Sequence, residues 1–160
     1  MVSFFGYEKL RKVMEVVTMG MLYNMDFHEW TREQAKLLKS GKLSDADINN
    51  LIEEIESMGK SERRELKSRL VILIMHLLKW EIQPERQSNS WKATIETQRF
   101  QISELLEDSP SLKRELEPFV NAAYPKAKHL AILETGLIRD SFPPKCVHTA
   151  DDILREGFYP

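Results

Sequence analysis

Leu70-Val71-Ile72-Leu73-Ile74-Met75-His76-Leu77-Leu78-Lys79-Trp80 is the stretch whose reading decides the fold. From Leu70 to Leu78 it carries no charge, and His76 is its one strongly polar side chain. A segment apolar all round is buried on all sides. It is far shorter than the roughly 20 apolar residues of a membrane span, so it predicts a core helix. The charged residues ahead of it (Glu62, Arg63, Arg64, Glu65, Lys67, Arg69) extend that helix back to Lys60 or Ser61. Pro84 stops it, which gives a central helix over 60–82.

Upstream, Ser44 to Met58 predicts a helix of its own. Ser44 is the expected cap, and Ile48, Leu51, Ile52, Ile55 and Met58 form one stripe. On a helical wheel Glu54 and Glu56 flank that stripe, while Glu53 points to solvent. Gly59 is the expected stop. This helix has five acidic residues and no basic one, whereas 60–99 carries nine Lys or Arg against five Glu. The two segments are electrostatically complementary, and their charge runs are expected to face each other or solvent. Asp26 to Ser40 reads as an earlier helix, with a capping-box pattern at Asp26 and Glu29 and a stop at Gly41. Its face is Phe27, Trp30, Gln34, Leu37 and Leu38. Residues 4–18 can form an amphipathic helix through Leu10, Val13, Met14 and Val17, followed by Met19, Met21 and Met25. That helix is either docked on the fold or an extension outside it.

Downstream, Glu85 to Asn89 is a polar connection and Ser90 is the expected cap of the next helix. Trp91, Ile95, Gln98, Ile102, Leu105 and Leu106 line its face, so Gln98 needs hydrogen-bond partners. Ser109 and Pro110 start a short helix. A break is expected near Pro118, then a longer helix with a bend at Pro125, closed by Thr135-Gly136. Thr149 with Asp152 predicts a capping box for a last short helix ending at Gly157. No stretch alternates with period two, so the fold class is all-α.

The chain has 160 residues, which favours one domain. A chain of that length buries roughly 70% of its unfolded surface and needs no staples. Net charge is -2, which argues against indiscriminate nucleic-acid binding. One cysteine, Cys146, excludes an internal disulfide and favours a reducing compartment. Met1 to Gly20 lacks the apolar run and small-residue cleavage site of a signal peptide. A cytoplasmic location is the expectation.

The run from Asp26 to Pro160 resembles a bacterial family of uncharacterised proteins, the domain of unknown function 29. The resemblance rests on Asn50-Leu51-Ile52-Glu53-Glu54-Ile55-Glu56, Gly59, Ser61-Glu62 and His76-Leu77-Leu78-Lys79-Trp80. It continues in Gln83-Pro84-Glu85-Arg86, Ser90-Trp91, Thr94-Ile95, Gln98-Arg99 and Ser109-Pro110-Ser111-Leu112. It ends in Thr135-Gly136-Leu137, Phe142-Pro143 and Phe158-Tyr159-Pro160. The resemblance implies an all-helical domain over 23–160, with 1–22 as an N-terminal extension. It implies no activity. Ile48 departs from the family pattern where an aromatic is expected, and Pro125 falls inside a family helix.

His76 is the sharpest polar position. A buried imidazole needs hydrogen bonds at both nitrogens, and burial disfavours its charged form. Glu54 and Glu56 are the carboxylates expected to reach it, with Arg69 two turns before it. The plainest reading is a satisfied core histidine that fixes helix register. The alternative is a catalytic cluster of His76, Glu54, Glu56 and Arg86. Residues 72, 73, 79 and 80 offer no ligand pair on the same helix, so any metal or catalytic site would have to be assembled from other helices; no metal is expected. Glu85, Arg86, Ser90 and Trp91 sit at a helix start, where anions are attracted and Arg86 could hold a phosphate; a capped helix with a packed aromatic is the preferred reading. Cys146 lacks a histidine–acid signature. No phosphate loop or nucleotide fingerprint is present, and no cofactor is expected.

These readings converge on a bundle of six or seven helices. The 60–82 helix is expected between the 44–58 and 90–107 helices. The function expected is a non-enzymatic, partner-binding or regulatory module that takes a protein partner or a second copy. The alternative is a hydrolase for a phosphate-containing or nucleic-acid substrate, using the His76 cluster. A nucleic-acid binder would need Arg63, Arg64, Lys67 and Arg69 on one exposed face.

Overall fold

Six α-helices carry the chain in a computed structural model that describes residues 4–160, the side chains of 4–6, 9, 12, 15 and 16 excepted. They are α1 (Phe4–Met25), α2 (Phe27–Lys39), α3 (Ile48–Ile82), α4 (Asn89–Asp108), α5 (Leu116–Thr135) and α6 (Ala150–Leu154). Four short 3-10 turns join them, and there is no strand among the described residues. The all-α expectation holds. Residues Met1–Ser3 of the expected N-terminal extension lie outside the described residues. The chain divides into two compact units, Met1–Gly59 and Lys60–Pro160.

In the first unit, Asp26 caps α2, but the reciprocal half of the expected capping box is missing, because its own N–H bonds the Leu22 carbonyl at 2.8 Å. The Asp26 carboxylate accepts from the Glu29 N–H at 3.0 Å, and the chain turns at Gly41 with φ 72°. Trp30 and Gln34 are its buried residues. Tyr23 of α1 meets the Trp30 ring edge-on at 4.9 Å, and Phe27 stacks on the same ring at 5.5 Å. Gln34 spends its amide on two neighbours. Its oxygen accepts from the Asp47 N–H at 2.8 Å, and its nitrogen donates to the Met19 sulfur at 3.5 Å.

Two expectations fail in the next segment. Ser44 is no cap, because Leu43–Asp45 is a 3-10 turn and Ala46 then runs extended. The cap role passes to Asp47, whose carboxylate accepts from the Asn50 N–H at 3.4 Å and from its side-chain amide at 2.7 Å. Gly59 is no stop either: α3 runs 35 residues straight through it. A single helical glycine costs only about 1 kcal/mol, whereas ending a helix strands four carbonyls. Since 44–58 is therefore no separate helix, it cannot be one of two helices flanking 60–82. Its stripe is also not core: Ile48, Ile52, Ile55 and Met58 are all exposed.

In the second unit the expected rod is the core. Leu66, Leu70 and Leu73 are fully buried, and Val71, Ile74, Met75, Leu77 and Leu78 nearly so. They meet Ile95, Ile102 and Leu106 of α4, Val120, Ala123 and Ala127 of α5, and Ile153 of α6 in one cluster. Each such aliphatic contributes roughly 1.5–3 kcal/mol by leaving water. Ala123, Ala127 and Ala131 recur every fourth residue and are completely covered, a ridge of small residues that admits a neighbour closely. The α4 helix begins two residues earlier than expected. Ser88 is extended and its hydroxyl accepts from the Trp91 N–H at 3.3 Å, so Ser88 and not Ser90 is the cap. Ser109 makes no cap bond either; its hydroxyl donates to Glu62 at 2.6 Å.

Pro118 does not break the chain, because it is the third residue of α5, where the N–H groups have no helical partner to lose. Pro125 lies inside α5, which continues through it. The buried Tyr124 and Ala127 beside it keep the helix in place. Gly136 closes α5 at φ 70°, its N–H bonded to the Ile132 carbonyl at 2.9 Å. The Thr149–Asp152 capping box is present at α6, but α6 ends at Leu154, before the turn at Gly157.

Gly59 provides a test of the helix through it. A Cβ added there meets no atom within 4 Å. Gly59→Ala is expected to raise stability by about 0.5–1 kcal/mol in denaturant titration. A chain that turned at Gly59 with positive φ would lose stability instead.

Candidate functional site

His76 is not buried on all sides. It is half-buried, and Ile72 one turn earlier on the same row is 36% exposed. Its Nδ1 lies 2.9 Å from the Ile72 carbonyl. Loss of solvent lowers its pKa, the Ile72 carbonyl opposes that, Lys79 adds to the lowering, and Glu134 raises it. The carboxylates expected to reach it have other places. Glu54 is half-buried and accepts from the Tyr23 hydroxyl at 2.5 Å, which pushes Tyr23 up to about 12. Glu53 is solvated as expected, and Glu56 is exposed rather than at a core edge. Arg69 pairs with Glu65 at 2.6 Å and with Gln101 rather than with His76. Arg86 is exposed in the Pro84–Arg86 turn. Glu54, Glu56 and His76 all lie on α3, which has no turn at Gly59 between them.

Of the four basic residues considered for nucleic acid, Arg63 pairs with Glu115 at 2.6 Å, over the Phe119 ring, and Arg69 is held by Glu65. Cys146 is half-buried, its thiol donates to the His148 carbonyl at 3.3 Å, and burial pushes its pKa up. That is the opposite of a thiolate nucleophile. His148 Nε2 is buried without a hydrogen bond, 3.5 Å from a Glu81 oxygen. It borders a cavity of about 10 Å³, the size of one water at most. Gln98 Oε1, expected to need a partner, has none. Among the described residues no group of three or more His, Cys, Asp or Glu is placed to hold a metal ion.

The buried charges are Lys79 and Arg99, which no local pattern in the sequence singles out. The Lys79 ammonium pairs with Glu134 at 2.5 Å and sits 4.4 Å over the Trp91 ring. Arg99 uses all arms of its guanidinium. Nε donates to the Ile153 carbonyl at 2.9 Å, Nη2 to the Phe158 carbonyl at 2.5 Å, and Nη1 to Glu96 at 2.8 Å. Glu96 also accepts from Tyr159, whose ring lies 4.9 Å from that of Trp80. Arg99 therefore latches 153–159 onto α4. Nothing in composition marks these two cations, because Glu134, Ile153 and Phe158 all lie far along the chain from them.

An apolar surface that no described neighbour covers lies on α1. Met19, Leu22 and Tyr23 are half-buried on its inner side. Tyr7, Leu10, Met14, Val17 and Met21 are 56–74% exposed. They are spaced 3, 4, 3 and 4 apart, the seam of a coiled coil. An apolar groove of about 630 Å³ runs along Tyr7, Leu10, Met14 and Met19. The 3–4 spacing is readable in the sequence; which of the two apolar sides stays uncovered is not.

These features define an all-helical protein with a packed apolar core and an uncovered apolar helix. The chain belongs to the family described as Domain of unknown function DUF29, which it matches over residues 22–159. Neither a curated protein nor a solved structure matches it. Residues 1–21, with most of the α1 seam, precede the matched region. No helix among the described residues is long and apolar enough to cross a membrane.

Arg99→Ala is expected to cost about 2–4 kcal/mol in denaturant titration, since buried charge-assisted bonds are lost together. Arg99→Lys should recover little of it, because one ammonium cannot reach both carbonyls and Glu96. For His76, the folded pKa lies below the unfolded value of 6.5. The unfolded chain then takes up the proton first, so stability falls as pH drops from above that value towards the folded one. Denaturation midpoints at pH 7.5 and 5.5 should converge more closely in His76→Gln than in the parent.

Proposed function

We propose that this protein is a non-enzymatic helical module that associates through α1 with a second copy of itself. The observation that carries the reading is the uncovered seam. Tyr7, Leu10, Val13, Met14, Val17, Met21 and Met25 are 55–79% exposed. Together they present on the order of 800 Å², the area each partner gives to a standard interface. Contiguous apolar surface of that size marks an interaction site. A 3–4 repeat fits another helix of the same repeat better than a flat or polar partner. The exposed stripe Ile48, Ile52, Ile55 and Met58 adds apolar surface in the same unit. One cysteine in the whole chain supports a reducing compartment.

Sedimentation equilibrium across a concentration series tests this. The parent is expected to form a reversible dimer. Met14→Glu, at a position 69% exposed, should weaken it at least ten-fold, about 1.4 kcal/mol, with helicity unchanged by circular dichroism. A parent that stays monomeric at high micromolar concentration, or a variant that dimerises equally well, overturns the reading.

A further inference from the structure

The second unit holds a cleft that the self-association reading does not use. It lies between α5 and the segment that leaves it, and its volume is about 550 Å³, within the range of small-molecule sites. One wall is tied down by unusual means. Lys128 reaches from α5, and its ammonium donates to the carbonyls of Phe142 and Pro143, each at 2.9 Å. The Tyr124 hydroxyl donates to the same Pro143 carbonyl at 2.7 Å. Lys128 is half-buried, yet carbonyl dipoles and no described carboxylate hold its charge. Two carbonyls orient the ammonium without neutralising its charge.

One further cation adds to that charge, and an imidazole lies beside it. Arg139 opens the short turn Arg139–Ser141 and His129 follows Lys128 on α5; both line the cleft. Both are exposed, and neither side chain has a hydrogen bond or ion pair among the described residues. Asp140 lines the cleft as well and is the one acidic group there. Against it stand two permanent positive charges, Lys128 and Arg139. Ile132 and Pro144 supply apolar wall on either side.

We propose that this cleft binds a small phosphorylated molecule carrying an apolar or aromatic body. The guanidinium of Arg139 matches two phosphoryl oxygens with parallel N–H donors, which an exposed, unpaired arginine is free to supply. The ammonium of Lys128 adds a point charge at a fixed position, so little ordering cost falls on the protein side. The apolar body rests on Ile132 and Pro144. Asp140 repels the anion and sets an upper limit on affinity.

Phenyl phosphate is the probe, with phenol as the uncharged control, read by amide chemical-shift titration of the full chain. The expected result is saturable shifts confined to 124–144 for phenyl phosphate and none for phenol. Arg139→Glu, at an exposed turn position, should weaken binding at least ten-fold. Asp140→Asn should tighten it several-fold by removing the one repulsive charge. Shifts that never saturate, equal binding by Arg139→Glu, or weaker binding by Asp140→Asn each overturn the proposal. Lys128 is left unchanged in these variants, because its removal would also free the loop that forms the wall.

Discussion

Removing the stripe from Leu66 to Leu78 from water is the constraint on which the second unit rests. A helix with apolar residues on nearly every side cannot be covered by one neighbour. The unit meets this with three helices and a loop. α4 brings branched aliphatics, α5 brings an alanine ridge, and α6 with Phe142 closes the remaining side. The α6 closure is itself conditional. It depends on Arg99, which draws the Ile153 and Phe158 carbonyls inward. A buried cation is costly to desolvate unless it is well bonded, and here each of the three guanidinium nitrogens makes a hydrogen bond. The core and the latch thus support each other.

The same balance separates the two polar residues near the end of the rod. His76 carries no neutralising carboxylate, and it sits at the rim where water still reaches it. Lys79, three residues on, is buried, because Glu134 and the face of Trp91 replace its hydration. In both cases the partner set, and not hydrophobicity alone, fixes depth.

Most of the fold was legible in the chain. The rod, the caps at Asp26 and Thr149, the stops at Pro84 and Gly136 and the absence of strands all come from local rules. The departures have local reasons as well. Gly59 has the composition of a stop, but only φ decides whether a glycine ends a helix, and the residues after Gly59 continue the helical pattern. Ser90 and Ser44 each have a competitor two or three residues away, Ser88 and Asp47, and it is the competitor that bonds to the free N–H groups of the first turn. Pro118 looks like a breaker only when the start of α5 is placed too early. The expected His76 site rests on a turn at Gly59, so one glycine carries several dependent expectations with it. Lys79 and Arg99 are invisible for another reason. Burial of a charge is decided by distant acceptors, and no periodicity reports those. The cleft beside α5 falls in the same class, since it is made by carbonyls of a loop.

The placement of the three tryptophans has a practical consequence. Trp30 lies in the first unit, fully buried beside Tyr23. Trp80 and Trp91 lie in the second, one against a tyrosine ring and one beneath an ammonium. Each half of the molecule therefore owns a native fluorophore in a distinct setting. Phenylalanine replacements of the indoles, one half at a time, would let intrinsic emission follow the melting of either half without any added dye.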